Sequence, residues 1–226
     1  MSDDALGLLV WASTSIVLGG LLPTEANRRR LLAATMRAAA TERDRQAAVI
    51  AAMVGSSSSD WTTALLHAAS SFRALPWNAA NHARHWTTSE DTGLHHKSVS
   101  VELGLCDAFI SHSWRDDGHA KHRALRLWAT DFEAVHGRPP RVFVDKACID
   151  QQAIDESLAA LPVYLAGCRR IVVCFGPTYP TRLWTLMELF VFLKMGASPD
   201  DVVVLPIGDV DHFEQMAAFD ASQARP

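Results

Sequence analysis

Ile171-Val172-Val173-Cys174-Phe175 is an unbroken apolar run closed by Gly176-Pro177. A short apolar run between turn signals is the pattern of a strand buried on both faces, as in parallel sheets. Val202–Leu205 (VVVL) repeats the pattern downstream; Arg141–Val144 (RVFV) and Cys106–Ser111 (CDAFIS) repeat it upstream. Helical patterns fill the gaps. His119–Val135 places Leu125, Trp128, Phe132 and Val135 near 3.6 spacing and is stopped by Gly137-Arg138-Pro139-Pro140. Gln151–Ala166 reads as a helix shortened or kinked at Pro162 and capped by Gly167, and Thr181–Met195 as one closed by Gly196. The order β-α-β-α-β-α-β predicts an α/β parallel sheet of four or five strands flanked by helices. Val99–Leu103 (VSVEL) alternates and is a candidate edge strand. In such sheets ligands bind outside the carboxyl ends of the strands. The residues to watch therefore follow Ile110, Val144 and Phe175.

The chain has 226 residues, with 21 Lys+Arg against 25 Asp+Glu and 49% hydrophobic residues. This is a globular balance and excludes wholesale disorder. A net charge of −4 argues against a nucleic-acid partner, which calls for a basic stripe; Arg28-Arg29-Arg30 is the one tight basic run. Cys106, Cys148, Cys168 and Cys174 show no C-x-x-C spacing and read as reduced thiols. The acidic start, Met1-Ser2-Asp3-Asp4, does not fit a secretory signal. A cytoplasmic protein is expected.

Leu6–Leu22 is uncharged over 17 residues, at the lower limit for crossing a bilayer. A buried helix is the preferred reading. The alternative is a membrane anchor with Arg28–Arg30, and so the rest of the chain, on the cytosolic side. Thr24 is a candidate N-cap for an Ala-rich helix running to Val54; Gly55–Ser59 breaks it, and Asp60 caps a second helix to Phe72. His82, His85, His95 and His96 raise the thought of zinc, but no Cys or carboxylate falls at ligand spacing, and no metal is expected. Thr87–Gly93 marks a plausible boundary. The expected organisation is a helical N-terminal region, 1–97, and an α/β domain, 98–226.

The chain has no G-x-G-x-x-G, G-x-x-x-x-G-K-[ST], H-E-x-x-H or G-x-S-x-G. Common dinucleotide oxidoreductases, P-loop NTPases, zincins and nucleophile-elbow hydrolases are thereby disfavoured. What stands at the strand ends is polar: Ser111-His112-Ser113-Trp114-Arg115-Asp116-Asp117, then Asp145-Lys146-Ala147-Cys148-Ile149-Asp150, then Thr178-Tyr179-Pro180-Thr181-Arg182. Trp184 and Glu188 follow, four apart on one helix face. Glu188 lies among Leu186, Met187, Leu189, Phe190 and Val191, and its neighbours three and four residues away include no base. Such a carboxylate either sits at the helix edge in water or is functional.

Asp107-Ala108-Phe109-Ile110-Ser111-His112, Val142-Phe143-Val144-Asp145, Ile171-Val172-Val173 and Leu183-Trp184-x-x-x-Glu188-Leu189, in this order, resemble a TIR (Toll/interleukin-1 receptor-like) domain. The resemblance covers about Cys106 to Pro206. It implies a flavodoxin-like sheet and one of two roles, NAD⁺ glycohydrolase or non-catalytic adaptor. In the enzymes the carboxylate of the W-x-x-x-E motif is catalytic, here Glu188. The resemblance also implies a nucleotide pocket lined by Ser111, His112, Trp114 and Arg115, with Asp145 on the gating loop Asp145–Gln152 and Trp184 as a stacking wall. NAD⁺ is then the substrate, with no separate cofactor. Self-association through this domain or the N-terminal helices is a further expectation. The chain departs from the family pattern where Gln151-Gln152 stand in place of a glycine after the gating loop. Asp209–Pro226 reads as a short helix and tail rather than a fifth strand. Cleavage of the nicotinamide–ribose bond passes through an oxocarbenium-like state, which a nearby carboxylate stabilises.

Overall fold

The structure is a computed structural model and describes residues 44–49, 61–90, 92–149 and 159–208. These all belong to one unit, Thr41–Pro226. The expected helix from Thr24 to Val54 lies outside them except for residues 44–49, which are helical. Leu6–Leu22 and Asp209–Pro226 also lie outside. Among the described residues no helix is long and apolar enough to cross a membrane.

Among the described residues six strands form one sheet: β1 (Arg73–Pro76), β2 (Val99–Ser100), β3 (Cys106–His112), β4 (Arg141–Phe143), β5 (Cys168–Phe175) and β6 (Val202–Pro206). Their spatial order is β2-β1-β4-β3-β5-β6. The four strands read from the apolar runs are mutually parallel, with Ser111 opposite Val173 and Val173 opposite Val204. Residues that follow β3, β4 and β5 therefore share one edge. The other two strands pair antiparallel, β1 with β4 and β2 with β1.

After residues 44–49, the α-helices among the described residues are α1 (Trp61–Ser71), α2 (Trp77–Ala80), α3 (Gly118–His136), α4 (Asp145–Cys148), α5 (Leu161–Ala166) and α6 (Leu183–Lys194). From β3 the chain steps through α3 to β4, then through α5 to β5 on the other side of β3. Right-handed crossovers place α3 and α5 on opposite faces of the sheet. α6 packs on α5 accordingly, and α3 on β5 and β6. Gly137 ends α3 in the left-handed conformation, φ 69°, as its place after the periodic run predicts. Residues 151–158 of the helix expected over Gln151–Ala166 lie outside the described residues; in the remainder a turn at Ala160 precedes Pro162. It stands in the first turn of α5, where its missing N–H is no loss. Gly167 follows with φ −69°; a Cβ there would lie 2.7 Å from Leu103 Cδ2 and 3.0 Å from Phe72 Cζ. Its small size, not a left-handed turn, is what the position needs.

The expected boundary at residue 97 falls inside this sheet. β1 lies before it, and its Leu75 pairs with Val142 of β4. Phe72, Leu75 and Trp86 are all fully buried, and Phe72 stacks on Phe143 of β4 at 5.9 Å. Residues 61–97 thus share one sheet and one core with the strands β3 to β6, and contribute a strand as well as helices. At the amino end of β3, Asp107 is buried and takes a paired salt bridge from Arg138 at 2.7 and 2.8 Å and the Arg141 backbone N–H at 2.8 Å. That carboxylate braces the amino edge of the sheet, away from the carboxyl ends of the strands.

Candidate functional site

The strand order reverses direction at β3, since β4 lies on one side of it and β5 on the other. The crevice outside the carboxyl ends of β3 and β5 is the position at which open α/β sheets bind ligands. Ser111 and His112 end β3, and Gly176–Tyr179 follow β5. Three bonds cross this gap: Ser113 Oγ and Thr178 Oγ1 lie 2.7 Å apart, and Asp116 Oδ1 accepts from the Thr178 backbone N–H at 2.9 Å and its hydroxyl at 2.8 Å. Gly176 lets Asp116 approach, for a Cβ there would stand 2.5 Å from the carboxylate.

Glu188 comes to this point from α6. The reading of Glu188 as a helix-edge residue in water does not hold. The carboxyl is 3% exposed, and the Ser111 hydroxyl lies 2.5 Å from its Oε2. Ser111 Oγ lies 2.9 Å from Tyr179 Oη, which in turn donates to the Thr185 carbonyl at 3.2 Å. The Thr185 hydroxyl donates back to the Tyr179 carbonyl at 2.7 Å. Burial drives the Glu188 carboxyl well above the usual carboxylate range; the Ser111 hydroxyl opposes this, the Asp145 charge adds to it, and the Trp184 indole opposes it. A carboxyl displaced from its usual range by burial and a like charge is characteristic of functional sites.

A second group of polar residues stands beside it. Trp114 Nε1–H donates to Asp145 Oδ2 at 3.4 Å. The Trp114 ring has the Lys121 ammonium at 5.3 Å, the Lys146 ammonium at 5.1 Å and the His112 ring at 4.3 Å. Lys121 is fully buried and donates to the Ser113 carbonyl at 2.7 Å; burial pulls its pKa down. Lys146 donates to the Thr88 carbonyl at 2.7 Å. Burial lowers His112 to about 4, partly offset by the Asp145 charge, so the ring is neutral at pH 7. His112 Nε2 and Asp116 Oδ2 are buried polar atoms with no hydrogen-bond partner within the protein. Orphaned atoms of this kind ask for a reason, and a ligand-binding crevice is one.

Ser111 and Glu188 are thus in direct contact, Trp184 and Asp145 act on the same carboxyl, and Asp145 also joins Trp114. His112 packs against Trp114 and Trp86. Arg115 is exposed and is held through its backbone N–H to the Ser113 hydroxyl at 3.3 Å. Ser111 is fully buried, and its hydroxyl faces Glu188 and Tyr179. The start of the expected gating loop, Asp145–Cys148, is a single helical turn; Asp150–Gln152 lie outside the described residues.

Tyr179, Asp116, Lys121 and Lys146 belong to the constellation without having been assigned a role from the sequence. Tyr179 lay within the polar stretch after the third strand. Lys121 could have been found from its spacing, since it shares a helix face with Leu125, Ala129 and Phe132. Three of the four upstream histidines make local bonds, and His96 lies edge-on to His95. His82 accepts from the Arg84 N–H, His85 bonds Thr92, and His95 contacts the Ala147 carbonyl. Among the described residues no group of three or more His, Cys, Asp or Glu is placed to hold a metal ion. The four cysteines are free and buried; burial raises Cys174 to about 12 and Cys148 further, so neither is a thiolate nucleophile at neutral pH.

No protein-family model, curated protein or solved structure matches the chain.

Proposed function

We propose that this chain is a TIR-like NAD⁺ glycohydrolase in which Glu188 is the catalytic carboxyl. The carrying observation is the burial of Glu188 against Ser111 at the carboxyl end of β3, where the strand order reverses. The parallel strands taken alone run β4-β3-β5-β6, which in chain order is 2-1-3-4 and is compatible with a flavodoxin-like sheet. The substrate's nicotinamide ribose lies against Glu188 and Trp184, and Trp114 offers a flat wall flanked by lysines to the remainder of the nucleotide. As the C–N bond breaks, its electron pair goes to the nicotinamide nitrogen, and positive charge builds on the ribose. The Glu188 carboxylate stabilises that charge until water adds to the anomeric carbon. Nicotinamide is a good leaving group without protonation, so no paired general acid is needed.

An adaptor reading draws on a different observation. Leu183, Met187, Phe190 and Leu193 stand exposed along α6. An apolar helix face turned to solvent suits assembly with another protein.

One experiment separates the two readings. Full-length protein is incubated with NAD⁺ and released nicotinamide is measured, for the parent and for Glu188→Gln. The glycohydrolase reading expects cleavage by the parent and a loss of roughly 10²–10³-fold or more in the variant, the scale of one electrostatic contact to the transition state. Gln preserves the size of the side chain, so circular dichroism should be unchanged. No cleavage by the parent supports the adaptor. Parent activity that survives Glu188→Gln moves the chemistry elsewhere, to the loop Ser111–Arg115.

A further inference from the structure

The hydroxyl chain behind Glu188 has a proton count that depends on the state of the carboxyl. Three contacts link its members: Glu188 Oε2 to Ser111 Oγ at 2.5 Å, Ser111 Oγ to Tyr179 Oη at 2.9 Å, and Tyr179 Oη to the Thr185 carbonyl at 3.2 Å. A carbonyl only accepts, so Tyr179 must donate at the far end. Its single proton is then spent, and the middle contact must be donated by Ser111. The single Ser111 proton is then spent as well, and the first contact must be donated by Glu188. All three are hydrogen bonds only when Glu188 carries a proton. When Glu188 is ionised, Ser111 turns its proton to the carboxylate, and one of the other two contacts is left without a hydrogen.

The surroundings favour the protonated state. Burial penalises ionisation, and Asp145, on α4, adds a like charge. Tyr179 keeps its proton, driven up by burial, and the Cys174 thiol beside it is likewise neutral. Trp184, on α6 itself, is uncharged. α5, which packs on α6, presents only Tyr164 as an ionisable residue, and its hydroxyl is engaged with Ser71 at 2.9 Å.

We propose that Glu188 is stored protonated behind Ser111 and Tyr179 and releases its proton when a cationic ring comes to lie beside it, so that the site admits pyridinium nucleotides in preference to neutral nucleosides. The second part rests on the glycohydrolase reading. Release breaks the Glu188 O–H bond; the proton passes to solvent and the electron pair stays on the carboxylate. Ser111 turns its O–H from Tyr179 to Glu188, and Tyr179 keeps the Thr185 carbonyl. The incoming positive charge replaces the proton as the balance for the carboxylate in a poorly solvated place. Ser111 and Tyr179 are then positioning residues, acting through Glu188.

The test is a titration of the full chain carrying ¹³C-labelled glutamate. The Glu188 carboxyl resonance is identified by its loss in Glu188→Gln. It is expected to titrate at higher pH than the other glutamates. Tyr179→Phe should shift the midpoint down, because the protonated form loses two of its three bonds and the ionised form one of its two. Ser111→Ala should shift it less, because the two neutral bonds lost by the protonated form are offset by the one charge-assisted donor, the stronger kind, lost by the carboxylate. In the unsubstituted chain, the N-methylnicotinamide cation should shift the midpoint down, and neutral nicotinamide at the same concentration should not; this arm does not depend on either variant folding. A Glu188 that titrates with the surface glutamates, a midpoint that does not fall in Tyr179→Phe, or a midpoint indifferent to the cation would each overturn the proposal. The shifts without NAD⁺ cleavage overturn the glycohydrolase reading and leave the stored proton standing. Cleavage without the shifts does the reverse.

Discussion

The imidazole of His112 is packed edge-on between two indoles, Trp114 at 4.3 Å and Trp86 at 5.6 Å. Its ring bonds the Ile110 backbone, and Nε2 has no partner. Burial lowers its pKa from 6.5 to about 4, so the folded protein resists a proton that the unfolded chain accepts. At pH 8 neither state binds that proton, and the residue is silent. As pH falls below 6.5 the unfolded chain takes it up first, and stability is lost until the folded pKa near 4 is reached. At pH 5 the loss from this one group is about 2 kcal/mol. His85, also lowered to about 4 by burial and the nearby Arg84 charge, acts in the same sense. The effect of His112 is isolated by difference. Urea unfolding at pH 8 and pH 5 should show His112→Gln losing about 2 kcal/mol less than the parent over that interval. Equal losses would mean that the ring titrates normally in the fold.

α6 turns Thr185 and Glu188 inward and much of its apolar surface outward. Thr185 and Glu188 are buried with Phe192, while Met187, Phe190 and Leu193 are exposed. Ordinary amphipathic reasoning puts the carboxylate on the wet side of such a helix. For that reason the sequence showed that Glu188 was unusual without showing where it went. Its partner Ser111 is 77 residues away, joined to it only by the topology of the sheet. The parallel strands were legible because buried strands leave unbroken apolar runs such as IVVCF. β1 was not: Arg-Ala-Leu-Pro has four residues, a charge at one end and a proline at the other, and its strand character comes from pairing with β4. The inversion of α6 makes a stability prediction. Phe190→Glu, on the exposed face, should change unfolding free energy by no more than about 0.5 kcal/mol. Phe192→Ala, at a fully buried position, should cost about 3–5 kcal/mol. Thermal or urea unfolding of the two variants checks the assignment of faces. A large cost at Phe190 would mean that this face is covered in solution.

At the scale of the whole molecule, residues 61–97 contribute two α-helices and a strand to the unit that holds the parallel strands. β1 is the one neighbour that β4 has on its outer side, and β2 closes the sheet beyond it. Phe72 and Phe109 both stack on Phe143, so the upstream segment fills the core under β4. Trp86 packs against His112 at the site itself, and Lys146 is held by the Thr88 carbonyl. The approach is closest at the start of α3. A Cβ on Gly118 would stand 2.3 Å from the Trp86 carbonyl oxygen, so backbone meets backbone there. A fragment beginning at residue 98 removes β1, bares the paired edge of β4 and leaves a cavity where Phe72, Leu75 and Trp86 were. The loss of three large buried side chains, at roughly 2–5 kcal/mol each, matches or exceeds the whole stability of an ordinary domain. Fragment 98–226 should therefore be unfolded or aggregated. Fragment 41–226, which retains the unit Thr41–Pro226, should unfold cooperatively in urea and keep its near-ultraviolet circular dichroism. If 98–226 instead proves monomeric and cooperatively folded, the strand pairing of β1 contributes little, and the sheet is complete with its parallel strands alone.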